Sequence, residues 1–322
     1  MTWPNMRKFL YHILILVFLF SMLISVSFMI CYKMSSKKID WRLDPSKTVM
    51  ITGDSYPECA LDDSILTEAV NLSSSADTYI YSHAKIRKFL GHNPQIGTVV
   101  LGLSYHNLKS DDDGFFKNPS PGISKFVKYF YLMDKNDVLT VLEANYNIII
   151  KGLGSCYRQT VFLALTSIKG ISYKRLSLGE YRRLDINKVR EILSEIKKTI
   201  PVIPAEIKPS LIQIRYLDKI VKLCEESNVR LILLNTPIHP EFLETLKGEK
   251  AFLDRFCNSH EIADRLWDYS DYSLPDSCYS DPEHLNFHGA DKFSALIKEK
   301  LEKEERKERD IISRMDAALK RR

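Results

Sequence analysis

From Phe9 to Tyr32 the chain reads FLYHILILVFLFSMLISVSFMICY, without a single Asp, Glu, Lys or Arg. Roughly 20 apolar residues suffice for a helix to cross a hydrocarbon core. Residues 9–32 are therefore predicted to form one transmembrane signal anchor, preceded by a flank at 1–8. A cleavable signal would have a shorter apolar run and small residues at its exit, whereas this run exits through Met29-Ile30-Cys31-Tyr32-Lys33. After a polar linker at 33–46 the pattern changes to short apolar runs alternating with amphipathic stretches. Thr48–Thr52 predicts a strand, Pro57–Val70 a helix and Tyr79–Leu90 a second helix. Gly97–Ser104 is the continuous apolar run of a strand buried on both faces.

Residues 109–208 interrupt this rhythm. They open with turn residues at Asp111–Gly114 and Asn118–Gly122 and continue in mostly helical pattern, clearest in the amphipathic Asp185–Ile200. Pro201, Pro204 and Pro209 close the region. The alternation then resumes with a helix at Leu211–Glu226, a strand at Arg230–Asn235 and helical pattern over His239–Asn258. A strand at Arg265–Tyr269 and a helix at Ala290–Lys307 complete it. Such alternation predicts an α/β domain over 47–300, a central parallel sheet between helical layers, with 109–208 as an insertion or cap. Residues 301–322 read as a charged helical tail. In parallel sheets of this kind sites form at the carboxyl ends of strands, which points to Ser55, Ser104–Asn107 and Asn235–His239.

Charge narrows the function classes. The net charge of +5 is unevenly placed: residues 1–50 carry +5 and residues 298–322 carry +3, leaving −3 for the body. A mildly acidic body argues against nucleic-acid binding, and the basic ends suit a membrane surface or solvent. Flanking charges taken alone would leave the C-terminal part in the cytoplasm, but a long domain after one anchor can translocate regardless. Six cysteines without a C-x-x-C form neither a disulfide framework nor a zinc site. Burial as small apolar groups is the expectation for most, Cys59 included, and one bridge between Cys257 and Cys278 is compatible with the spacing.

Two motifs carry candidate chemistry. Gly53-Asp54-Ser55 sits where the first strand hands over to a helix. Ser280-Asp-Pro-Glu-His-Leu-Asn-Phe-His-Gly-Ala-Asp291 precedes the last helix. A serine becomes nucleophilic when a base takes its proton and an acceptor fixes the tautomer of that base. Asp281 and His284, three residues apart with Pro282 stiffening the turn, can present carboxylate and imidazole to one place. Ser55 also precedes a helix N-terminus, which favours developing negative charge. The alternatives are a turn serine, a capping histidine, and a metal site built from Asp281, His284 and His288. His106 is open to reading as a rival base, a substrate contact or a structural residue. No G-x-S-x-G elbow, P-loop or dinucleotide fingerprint is present.

Together, Gly53-Asp54-Ser55 and Asp281-Pro-Glu-His284 resemble the SGNH (GDSL-type) hydrolase superfamily. His284-Leu-Asn-x-x-Gly-Ala290 is similar to membrane-anchored SGNH-like proteins of bacterial envelope polysaccharide acylation. The resemblance implies a three-layer SGNH/flavodoxin-like fold, Ser55 as nucleophile, His284 as general base and Asp281 as its orienter. It also implies an extracytoplasmic serine esterase or O-acyltransferase (periplasm or cell surface) needing no cofactor. An envelope glycan or other acyl ester would be the substrate, and a membrane acyltransferase a candidate partner. A degenerate, non-catalytic glycan-binding or assembly subunit is the alternative. For the oxyanion hole, Ser73 falls where the family has a glycine donor. Ser104 stands where the family has an asparagine, with Asn107 three residues later.

Overall fold

The computed structural model describes residues 3–37, 39–110, 119–168, 173–174, 178–198 and 207–319. The turn residues at 111–118 and the helix-ending Pro201 and Pro204 lie outside the described residues. The chain is mixed α/β, mostly helical, and divides into two compact units: Met1–Trp41 with Asn118–Leu176, and Arg42–Lys117 with Ser177–Arg322.

The first unit is built on α1 (Trp3–Ser36), with α4 (Pro119–Tyr129), α5 (Lys135–Ala144) and α6 (Tyr146–Ile168). Met6–Ser36 is long and apolar enough to cross a membrane, and the most apolar window of this helix has none of its residues buried. Its last turns do find protein partners. Tyr32 stacks on Tyr131 at 5.2 Å between ring centroids, and Ser35 Oγ and Tyr131 OH are 2.9 Å apart. The polar stretch expected as a linker over 33–46 thus holds the end of α1. It also holds β1 (Ile39–Asp40), which pairs in parallel with β5 (Tyr173–Lys174). Pro119–Gly122, expected as loop, opens α4, where proline is tolerated because first-turn N–H groups have no intrahelical acceptor.

The second unit contains the five-stranded sheet. Its strands are β2 (Val49–Thr52), β3 (Ala69–Asn71), β4 (Thr98–Gly102), β6 (Arg230–Asn235) and β7 (Leu266–Asp268), in the order β3-β2-β4-β6-β7. Every pairing is parallel. Side chains of one face, including Val49, Ile51, Val100, Ile232, Leu234 and Trp267, join a core with residues of α2 (Ser55–Ala60), α7 (Val189–Lys198) and α11 (Phe287–Leu319). The intervening residues Met50, Val99, Leu101, Leu231 and Leu233 are buried on the other face. There α3 (Tyr79–Leu90) packs on β2 and α8 (Leu211–Glu226) on β6. The chain leaves β2 for β3 on one side and returns to place β4 on the other. The carboxyl ends of β2 and β4 therefore flank the crevice where open parallel sheets bind ligands.

Four expected elements differ. The helix predicted over Pro57–Val70 ends at Ala60, because a turn over Asp62–Leu66 intervenes. There the Asp62 carbonyl accepts from the N–H groups of Ile65 and Leu66. Ala69–Asn71 is instead a strand, paired with Val49–Ile51. The amphipathic helix predicted from Asp185 starts at Val189, whose N–H is accepted by the Asn187 side chain at 3.2 Å. The helical run at His239–Asn258 is α9 (Pro240–Leu243), a 3-10 turn and α10 (Lys247–Ser259). The last helix begins at Phe287 and continues through the expected tail to Leu319.

One close approach fixes the start of the site. Gly53 follows β2 with φ +149°, and a Cβ placed there would stand 2.7 Å from Pro57 Cγ and 3.1 Å from the Gly102 nitrogen. Only a residue without a side chain fits both the backbone and the space. Gly53→Ala is expected to lower stability by more than about 1 kcal/mol, seen as a lower urea midpoint of the detergent-solubilised chain.

Candidate active site

Asp54 and Ser55 start α2. The Asp54 carboxylate accepts the N–H of Tyr56 at 3.0 Å and so caps a helix of six residues. Pro57 falls in the first turn, where a missing N–H costs nothing. Ser55 is consequently held at the first helical position, beyond the carboxyl end of β2.

The second half of the site is a closed turn. Asp281 Oδ1 accepts the backbone N–H groups of Glu283 and His284, each at 2.9 Å. Both carboxylate oxygens of Asp281 lie 3.0 Å from His284 Nδ1. His284 Nε2 lies 2.8 Å from Ser55 Oγ. An ionised carboxylate only accepts, so Nδ1 carries the proton and Nε2 is left to accept from the serine hydroxyl. Burial pushes the Asp281 carboxyl up, but His284 and the two N–H donors outweigh it and hold the group below its usual value of 3.8. The three residues expected to act together are thus in hydrogen-bond contact.

Ser55 and His284 open into a cleft of about 280 Å³, whose walls include Ala76–Thr78, His106, Asn107, Gln213 and Glu283. His106 belongs to a second histidine–aspartate pair, with Nε2 2.8 Å from Asp54 Oδ2. Asn107 Nδ2 donates to the same oxygen at 2.6 Å. Burial would raise the Asp54 pKa, but the charge and hydrogen bond of His106, then Asn107 and the Tyr56 N–H, bring it below 3.8. The Tyr56 ring lies between the two imidazoles, 4.9 Å from His106 and 5.2 Å from His284 between centroids. Its hydroxyl donates to Glu283 Oε1 at 3.2 Å. Desolvation, then the charge of Glu283, raises the Tyr56 pKa well above 10.0, which keeps the phenol protonated.

The three expected oxyanion donors are placed differently. Ser73 is fully buried outside the cleft lining, with its N–H bonded to Asn71 Oδ1 at 2.9 Å. The Ser104 N–H is likewise taken, by Asn107 Oδ1 at 2.6 Å. Asn107 does line the cleft, but its amide donates to Asp54. Sequence reasoning missed Ala76, which lines the cleft with φ +60°, unusual for any residue but glycine. Among the described residues the N–H groups of Ala76 and Ser55 meet no acceptor. The Thr78 hydroxyl is also buried without a partner. Alanine carries no trace of its backbone angle, so composition offered no signal for it. Gln213, also missed, reaches over from α8 to accept the Tyr79 N–H at the start of α3 at 2.9 Å.

A buried ion pair anchors this wall. Lys85 Nζ lies 2.6 Å from Asp77 Oδ2 with neither side chain exposed, and Nζ also donates to the Leu72 carbonyl. Asn235–His239, also expected at the site, does not line the cleft. His239 Nε2 instead lies 3.1 Å from Asp276 Oδ1. Cys59 is buried, which pushes its thiol up to about 11 and leaves it a packing group. Cys257 and Cys278 are each buried as free thiols rather than bridged. Among the described residues no group of three or more His, Cys, Asp or Glu side chains is placed to hold a metal ion.

A profile of an uncharacterised protein family matches residues 172–305, a span that holds Asp281 and His284 but not Ser55. No curated protein matches the chain.

Two outcomes are expected. Lys85→Ala removes the cation from a buried ion pair and should destabilise the second unit by about 3–5 kcal/mol, measured by chemical denaturation. Asp54 and Asp281 both have folded pKa values below 3.8. Their stabilising contribution is therefore full above the unfolded carboxylate pKa and is lost as pH falls through the folded one. Asp54→Asn should flatten the acid limb of the stability–pH curve between pH 4 and lower values, as followed by circular dichroism.

Proposed function

We propose that the chain is a membrane-anchored SGNH-like serine esterase or O-acyltransferase acting on acyl esters, such as acetyl esters, of an envelope glycan. The single observation that carries this reading is the hydrogen-bonded series Ser55, His284, Asp281 opening into a cleft. The strand order supports an SGNH arrangement, since it is the doubly wound order with the serine beyond the strand beside the switch point. The anchor would be α1, and an extracytoplasmic side for the second unit follows from the resemblance.

In this reaction His284 Nε2 takes the Ser55 Oγ proton as Oγ bonds to the ester carbonyl carbon. The imidazolium that forms is stabilised by Asp281. The tetrahedral oxyanion would be received by the N–H groups of Ser55 and Ala76, which meet no acceptor among the described residues. Collapse breaks the bond to the alcohol, which leaves with the proton from Nε2. Water or a sugar hydroxyl, deprotonated by the same nitrogen, then attacks the acyl-serine. The product is a carboxylic acid or a new ester, and Ser55 regains its proton.

A second reading, a non-catalytic glycan-binding or assembly subunit beside a membrane acyltransferase, is favoured by one observation. Ser73, Ser104 and Asn107 give their donors to other protein groups. A fluorophosphonate probe separates the two readings. The full chain should be labelled, Ser55→Ala should abolish labelling, and His284→Ala should slow it by roughly 10²–10⁴-fold. Folded wild-type protein that stays unlabelled would sink the catalytic reading.

A further inference from the structure

We propose that Glu283 makes the cleft selective by charge, discriminating against esters with an anionic group near the scissile carbonyl and favouring those with a cationic one. The inference rests on the acyl-transfer reading for its substrate class, and on the charges of the cleft for its sign. Of the carboxylates that line the cleft, Asp54 and Asp77 are buried, the first against His106 and Asn107 and the second against Lys85. Glu283 is exposed, directly precedes His284 and lines the cleft. Its carboxylate accepts from the Tyr56 hydroxyl, which supplies a hydrogen bond and no charge. No Lys or Arg among the described residues lines the cleft. Arg182 lies outside the lining, 3.5 Å from Glu58, and donates to Cys59 Sγ.

The exposed carboxylate of the cleft wall therefore sits one residue from the base. A carboxylate on the acyl chain or leaving group approaches a like charge there, and an ammonium approaches an opposite one. Tyr56 fixes the orientation of the Glu283 carboxylate, so the charge acts at a defined place rather than over a mobile side chain.

A matched ester series tests this. The methylumbelliferyl esters of 4-trimethylammoniobutyrate, butyrate and succinate differ chiefly in the charge at the end of a four-carbon acyl chain. With the full chain in neutral detergent at low salt, kcat/KM should fall in that order. The cationic ester should exceed the anionic one by on the order of tenfold. Glu283→Gln should bring this ratio to within about twofold, and raising ionic strength should compress it in the wild type alone. Equal rates for the cationic and anionic esters, or a ratio unchanged by Glu283→Gln, would overturn the inference.

Binding to Ser55→Ala protein separates this outcome from failure of the serine chemistry. Saturation-transfer NMR should detect 4-trimethylammoniobutyramide over succinamate, with the preference lost on adding Glu283→Gln. If no ester is turned over but that preference appears, the charge selectivity stands and the esterase reading falls. No preference in binding overturns the selectivity whatever the enzyme does.

Discussion

The buried carboxylate of Asp54 is the point on which the site depends. It accepts from the Tyr56 N–H, from His106 and from Asn107, at 3.0, 2.8 and 2.6 Å. The first donor belongs to the opening turn of α2, beyond β2; the other two follow β4. A single charge therefore ties the ends of two neighbouring strands together next to Ser55. Its burial would be unfavourable if any donor were missing, since an unpaired charge in the interior is costly. Satisfied three ways, the same burial leaves little freedom for the serine backbone.

Asp281 repeats this logic 227 residues further on, closing its own turn with two backbone donors while holding His284. Bringing the two turns to 2.8 Å of each other is the work of the helices behind them. The hydroxyl of Ser294, buried on α11, accepts the Asp62 N–H at 2.8 Å just beyond α2. Phe293, Ile297 and Leu301 of α11 share a core cluster with Ala60 and Leu61. Serine and histidine thus meet because the helices next to them pack as one layer on the same face of the sheet.

How much of this was legible follows from the range of each signal. Continuous apolar runs named β4 and β6, and amphipathic spacing bounded α3 and α8 at the residues observed, because burial on a sheet repeats with a regular period. β3 was hidden: three residues cannot show a period, and Val70 fits a helical face as well as a strand. Ser55, His284 and Asp281 were readable because their residue types carry their chemistry. Ala76, Gln213 and the Tyr56–Glu283 contact were not, since each matters through backbone angle or long-range placement. The assignment of Ser73 and Ser104 as donors failed for a related reason. A backbone N–H has a direction that residue type does not encode, and both point to asparagine side chains.

Those asparagines show what the departures from the resembled motif accomplish. Asn71 accepts from Ser73 and donates to the carbonyls of Pro57 and Leu61, binding the end of α2 to β3. Asn107 folds the segment after β4 back on itself while holding Asp54. Both residues serve the frame. Ala76, in the cleft wall, holds a left-handed conformation, which costs an alanine roughly 1–2 kcal/mol. Such strain persists only where the surroundings impose it. The next residue, Asp77, is locked to Lys85 with neither side chain exposed, and the Asp77 N–H is accepted by Ser74 at 3.0 Å. These contacts hold the turn at Ala76 against its own preference, and its N–H meets no acceptor among the described residues. The wall of the cleft thus keeps Ala76 in a conformation that alanine does not favour.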